Sequence, residues 1–196
     1  MKTQKSNVYR MAVVGLMSAM VFAATNIRYP IPTPIGPTQL HLGNVMCLLS
    51  GMLFGPIPGG LAAGFGSFFF DLFSEYAAEA PITFINKFMM GFVAGYIALP
   101  KSGVRTRIRR IIGAVSGSLT YVVLYIFKNI VTQYYILKVE WEVVLAAVTI
   151  KATASLTNAV VAVIASVILA EALIPALKKA GLLDKLTGPP KERTQT

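Results

Sequence analysis

Charge is what this 196-residue sequence has least of. Only 13% of its residues are Asp, Glu, Lys or Arg, against 55% hydrophobic, where a soluble domain carries about 25% and about 45–50%. Too few charged side chains remain to cover a water-facing surface, which excludes an ordinary soluble globule. Cysteine and histidine are scarcer still, with one of each, Cys47 and His41. A single cysteine forms no internal disulfide and leaves the redox compartment open. One histidine with no His/Cys/Glu cluster argues against a metal site. The sequence has no G-x-x-x-x-G-K-[ST] to cradle a nucleotide phosphate, and no G-x-S-x-G or H-E-x-x-H. No catalytic residue and no cofactor are therefore expected. Acidic residues are also few, 8 against 18 basic ones. The net charge of +10 does not point to nucleic acid, because the basic residues cluster in short stretches between apolar runs.

Those apolar runs are what the sequence does contain. Crossing a bilayer takes about 20 mostly apolar residues. Candidate spans lie at about 8–25, 40–54, 61–73, 82–99, 111–137 and 143–173. They predict an all-α membrane protein, a six-transmembrane-helix bundle over residues 1–183, with a polar, disordered tail over 184–196. The basic start, Met1 to Arg10, resembles the head of a leader. Asn26 to His41 lack a small-x-small cleavage site, so the first run reads as a retained span. Pro30, Pro32, Pro34 and Pro37 preclude a helix between Arg28 and Gln39 and predict an ordered, extended loop. Gly55, Pro56, Pro58, Gly59 and Gly60 predict a tight turn, and Pro81 suits the first turn of a helix.

Orientation follows from Lys and Arg in short loops. With six spans and both termini cytoplasmic, the inner segments hold Lys2, Lys5, Arg10, Lys101, Arg105, Arg107, Arg109, Arg110, Lys178, Lys179, Lys185, Lys191 and Arg193. The outer segments hold only Arg28 and Lys138, together with Glu75, Glu79, Glu140 and Glu142.

Lys87, Lys128, Lys151 and Asp71 fall inside the spans, where a charge at mid-bilayer costs roughly 2.5–3.5 kcal/mol. In this topology they gather at one depth. Asp71 lies near the outer end of span 3. Thr83, Asn86 and Lys87 share a face in the outer third of span 4. Lys128, Asn129, Thr132 and Gln133 lie in the outer third of span 5, and Lys151, Ser155 and Asn158 share a face of span 6. His41 and Asn44 open span 2, with His41 read as a helix-end residue. The pattern predicts a polar pocket open to the exterior and roofed by the proline-rich loop. Its candidate ligand contacts are Asn44, Asp71, Thr83, Asn86, Lys87, Lys128, Asn129, Gln133, Lys151 and Asn158. Three cations point to a ligand with carboxylate, phosphate-like or carbonyl acceptors. The competing reading is that each lysine snorkels to the interface and Asp71 pairs with one. Tyr121, Tyr125, Tyr134, Tyr135 and Trp141 either line the pocket or form an interfacial belt, the more frequent role of such residues.

Two small-residue seams invite close helix approach. One is Gly15, Ala19 and Ala23, and the other is Gly60, Gly64 and Ser67 with Gly66 beside it. One is expected to pack inside the bundle and the other to face a partner protein; the alternative is that both pack internally.

The stretch LHLGNVMCLLSGMLFGPIPGGLAAGFGSFFFDLF from Leu40 to Phe73, followed by AAEAPITFINKFMMGFVAGY, resembles the substrate-binding S component of energy-coupling factor (ECF) vitamin transporters. The similarity is greatest to the branch related to riboflavin-type S components and extends over about residues 8 to 175. It rests on the L-G-[ND] start of span 2, the F-G-P…G-G turn, the Gly-rich span 3 ending in Asp71, and Pro81, Thr83 and Lys87 in a P-x-T-x-x-x-K pattern. Where that branch often has Asp after Leu-Gly, this chain has Asn44. The resemblance implies a multi-pass protein of the bacterial plasma membrane that captures a water-soluble vitamin or precursor from outside. Its implied partners are a transmembrane coupling subunit, docked on Gly15, Ala19 and Ala23, and two cytoplasmic ATPase subunits. The ligand is left open among riboflavin, pantothenate, pyridoxine or a pyrimidine precursor, a queuosine precursor and cobalamin. The alternatives are a stand-alone secondary transporter, an intramembrane enzyme and a membrane scaffold.

Overall fold

In a computed structural model of the chain, residues 2–34, 36–99 and 106–182 are described, without the side chains of residues 2–7. The expectations for Lys101, Arg105, Lys185, Lys191, Arg193 and the tail, and for the side chains of Lys2 and Lys5, lie outside the described residues. Six α-helices occur among the described residues: α1 (Lys2–Asn26), α2 (Gly43–Phe54), α3 (Pro56–Leu72), α4 (Ala80–Ala98), α5 (Arg107–Ile130) and α6 (Trp141–Lys179). A 3₁₀ turn, Ala77–Glu79, leads into α4, and α5 runs on into a π-helical segment, Val131–Ile136.

Among the described residues, four helical stretches are long and apolar enough to cross a membrane: Val8–Asn26, Ala77–Ala98, Arg107–Ile136 and Trp141–Lys179. α2, with 12 residues, is about 18 Å long, short of the roughly 30 Å hydrocarbon core. It is nevertheless the centre of the molecule. α1, α3, α4, α5 and α6 all pack on it, and Leu48, Leu49, Met52 and Leu53 join Met90 and Ala94 of α4 in the core.

Two segments differ from the sequence expectation. The proline-rich segment is a two-stranded antiparallel hairpin, β1 (Arg28–Ile31) and β2 (Thr38–His41), with Arg28 opposite His41 and Ile31 opposite Thr38. A proline that cannot donate is tolerated on such a two-stranded ribbon, because each strand has an unpaired edge. The turn expected over Gly55–Gly60 contracts to Gly55 alone, at φ 91°. Pro56 then opens α3, because the first helical residues need no N–H partner and proline supplies a helical φ.

Glycines let α2, α3 and α4 approach backbone to backbone. A methyl group at Gly51 would overlap the Gly91 carbonyl oxygen, and one at Gly95 would lie 2.6 Å from the Gly55 carbonyl carbon. Overpacking of this kind costs about 1–3 kcal/mol, more than alanine gains in helix propensity. Gly51→Ala is therefore expected to lower the melting temperature in detergent. Gly15→Ala, where a methyl group would meet nothing within 4 Å, is expected to leave it unchanged or raise it. Equal melting of the two variants would contradict this packing.

α5 and α6 are joined near one end by Arg110 and Glu171, with Arg110 Nη2 2.5 Å from Glu171 Oε1. Arg110 was expected to be one of several loop cations. Instead it is buried and satisfies an acid that the sixth apolar run would otherwise strand.

Candidate functional site

At the end of the bundle capped by the hairpin lies a cavity of about 60 Å³, lined by residues of α1, β2, α3, α4, α5 and α6. Of the ten predicted ligand contacts, Asp71, Thr83, Asn86, Lys87, Lys128 and Asn158 line it. Their spacing along each helix puts them on inward faces, and the common depth of those faces makes them converge. Asp71 (7% exposed), Asn86 (5%), Lys87 (4%) and Asn158 (8%) are shut away from bulk solvent. Thr83 and Asp71 face each other across the cavity lining.

The other four candidates sit behind or beyond the cavity wall. Asn44, on α2, accepts a hydrogen bond from Lys87 through Oδ1. Lys151 donates to Asn129 Oδ1 at 3.0 Å, and Asn129 Nδ2 donates to the Tyr125 carbonyl at 2.8 Å. Gln133 is the clearest departure, lying in the π segment outside the lining. There the bonding pattern widens to i→i+5, as in the 2.9 Å bond from Leu137 N–H to Thr132 carbonyl. The face that begins at Lys128 is therefore not continued to Gln133.

The walls also contain residues with weaker sequence signals. Thr25, Gln39, His41, Ser67 and Ser155 contribute polar groups, and Tyr121 and Tyr125 form an aromatic side with ring centroids 5.7 Å apart. The aromatic set thus divides. Tyr121 and Tyr125 face the cavity, whereas Tyr134, Tyr135 and Trp141 are exposed together at the far tip of α5 and α6. Small polar residues such as Thr25 and Ser67 carry no signal in a sequence, because such residues also bond their own helix, as Thr25 does to the Val21 carbonyl at 2.7 Å.

The hairpin is tied down on both sides. Asn158 accepts from the His41 N–H at 3.1 Å and donates to the Gln39 carbonyl at 2.8 Å. In that position the side chain takes the place of a third strand. Thr38 and Tyr125 hydroxyls lie 3.3 Å apart. On the opposite side Arg28 bridges to Glu75 at 3.0 Å and lies over the Phe70 ring, 5.0 Å from its centroid. The Glu75 carboxyl, in the turn between helices, is held below its usual range by its own backbone N–H and then by the Arg28 guanidinium. Lys128 and Glu79, 2.5 Å apart, join α5 to the 3₁₀ turn at the cavity edge. Each of the three lysines thus has a partner within the chain, Lys87 in Asn44, Lys151 in Asn129 and Lys128 in Glu79, which argues against three independent snorkelling anchors.

The two small-residue seams separate cleanly. In α3, a methyl group at Gly60 or Gly64 would press on the Phe88 or Phe84 ring, and Ser67 is buried. That seam is internal. Gly15, Ala19 and Ala23 of α1 are all exposed and are not used in packing the chain. Among the described residues no three His, Cys, Asp or Glu side chains gather to hold a metal ion.

Residues 5–175 match the family model for the S component of the ECF-type riboflavin transporter. A solved structure described as the S component of a bacterial ECF transporter superposes with a TM-score of 0.66 at 22% identity. The superposition covers 86% of this chain and 97% of the other. At that identity the likeness is one of fold. No curated protein matches the sequence.

Proposed function

The chain belongs to the family of ECF-type riboflavin transporter S components, and from this we propose that its hairpin-capped cavity captures a water-soluble vitamin or precursor outside the cell. It is a multi-pass membrane transport subunit and not an enzyme. The observation that carries the reading is the convergence of Asp71, Asn86, Lys87 and Asn158, all buried, on one cavity beneath the hairpin. Polar groups are costly within a membrane and mark ligand pathways when they gather.

In the proposed topology six helices span the bacterial plasma membrane with both termini cytoplasmic and residues 184–196 as a polar tail. Glu75, Glu79, Glu140 and Glu142 mark the outer end, where the hairpin lies. Arg107, Arg109, Lys178 and Lys179 mark the inner end, consistent with positive charge inside. α6, at 39 residues, is about 58 Å long and projects beyond the bilayer.

A cavity of about 60 Å³ holds a few waters, each needing roughly 10–15 Å³. Sites for vitamin-sized ligands run to roughly 300–1,000 Å³. Capture therefore requires widening, and the hairpin is the mobile wall, since it closes the cavity through a few polar contacts rather than through a packed core. The exposed seam Gly15, Ala19 and Ala23 is the proposed contact for a transmembrane coupling subunit, which with two cytoplasmic ATPases drives release inward. The nucleic-acid reading of the net charge has no place here, because the basic groups flank membrane helices.

The test separates binding from transport. The solitary chain in detergent is expected to bind one of the candidate vitamins without ATP. Uptake is expected only in cells that also make the coupling subunit and ATPases. Ion-driven uptake into vesicles lacking any ATPase would establish the stand-alone secondary transporter instead.

A further inference from the structure

The three lysines within the bundle are not equivalent. Lys128 has a carboxylate partner, Glu79, at 2.5 Å. Lys151 turns to Asn129 and does not line the cavity. Lys87 does line it, is 4% exposed, and makes no ion pair within 4 Å among the described residues. Its ammonium lies 3.7 Å from the Tyr121 ring centroid and donates to Asn44 Oδ1.

A neutral amide and a ring face are incomplete company for a buried ammonium. The group has three N–H donors, and its removal from water is costly. A desolvated cation–π contact offsets only part of that cost. Beside it, Asn44, 1% exposed, has an Nδ2 with no acceptor among the described residues. The amide cannot turn round to cure this, because its NH₂ would then face the ammonium. Lys87 therefore presents a positively charged donor at the inner side of the cavity, held by Asn44 from behind the wall, and no carboxylate among the described residues lies within 4 Å of the ammonium.

We propose that Lys87, positioned by Asn44 from behind the cavity wall, recognises an oxygen acceptor of the ligand, a carbonyl or a single carboxylate. The inference rests on reading the cavity as the capture site. Glu79 is taken up by Lys128 and Asp71 lines the same cavity, so a multiply charged phosphate ester would meet a carboxylate and only one cation outside an ion pair. A cationic ligand would face Lys87 directly. Asn44 is the residue that determines this specificity. Its amide oxygen positions the ammonium without neutralising it, so the charge stays available to the ligand. Aspartate is nearly isosteric there and would close an internal ion pair with Lys87.

The experiment titrates four probes by calorimetry into the solitary chain in detergent: riboflavin (neutral, with carbonyls), pantothenate (one carboxylate), riboflavin 5′-phosphate and thiamine (a cation). Wild type is expected to bind riboflavin or pantothenate at least tenfold more tightly than the other two probes. Which of the two binds distinguishes carbonyl from carboxylate. Asn44→Asp is expected to lose at least tenfold in affinity for that probe while melting no lower than wild type. Lys87→Met is expected to lose as much, and stands as the test if the aspartate variant does not fold. Preference for thiamine or the phosphate ester, or unchanged affinity in either folded variant, overturns the inference and leaves vitamin capture standing. Binding of none of the four probes by wild type overturns the inference, and vitamin capture falls with it only if the remaining candidate vitamins also fail to bind.

Discussion

Asn158→Ala is expected to release the β1–β2 hairpin from α6. The substitution removes both hydrogen bonds that hold β2, one to the His41 N–H and one to the Gln39 carbonyl. Each backbone group left without its partner costs at least about 1 kcal/mol. Two together come to about 2 kcal/mol, or roughly 30-fold in the balance between docked and undocked hairpin. Amide hydrogen exchange over Thr38–His41 is the direct reading, and it should accelerate by about that factor. The hairpin forms one wall of the cavity, so affinity for ligand should fall with it. The helices should keep their protection, because Asn158 packs at the surface of the cavity and not in the Leu48–Met52 core. Unchanged exchange in the hairpin would mean that Arg28 and Glu75 hold it without help from α6. That outcome is not expected. Arg28 and Glu75 are 28% and 53% exposed, and an exposed pair of this kind contributes about 0–1 kcal/mol.

Ala19→Leu is expected to separate binding from transport. Ala19 is exposed, and neither it nor Gly15 or Ala23 packs inside the bundle. A leucine there should leave the fold and the cavity intact, since the cavity lies at the hairpin end and is lined from α1 by Thr25. Small residues at steps of four let two helices touch along their backbones, and a branched side chain at the centre of the seam holds them apart. In cells containing the coupling subunit and ATPases, uptake should drop at least tenfold. Ligand affinity of the solitary chain should stay within twofold of wild type. Normal uptake would show that the seam faces lipid and that docking occurs elsewhere.

Much of the site is legible in the sequence alone. Lysines on apolar helices are expensive, and the i, i+4 spacing of Thr83 and Lys87, and of Lys151 and Ser155, put polar groups on single faces. Those faces do converge for α4 and, through Asn158 and Ser155, for α6. The extrapolation failed at Gln133 because a π segment changes the helical register, and no composition rule announces one. It was also incomplete at Lys151, which sits at the right depth but is turned toward Asn129. Tyr121 and Tyr125 could not be told apart from Tyr134, Tyr135 and Trp141 by residue type, since all are aromatic residues near helix ends.

The same division holds for the molecule as a whole. Sequence by itself determined that the chain lives in a membrane, which segments are helical, and that several buried charges need a common explanation. These are local properties: apolar run length, proline and glycine placement, and the period of a helix. Only the tertiary structure decided which charge has which partner. Lys128 pairs with Glu79, 49 positions away, Lys87 bonds Asn44, 43 positions away, and Asn158 reaches the hairpin across more than 100. It also decided which small-residue seam is internal, because Gly60 and Gly64 fit against phenylalanine rings of α4 while Gly15 meets open space. Such choices depend on how helices cross, and the crossing is set by packing over the whole bundle, which no local pattern encodes.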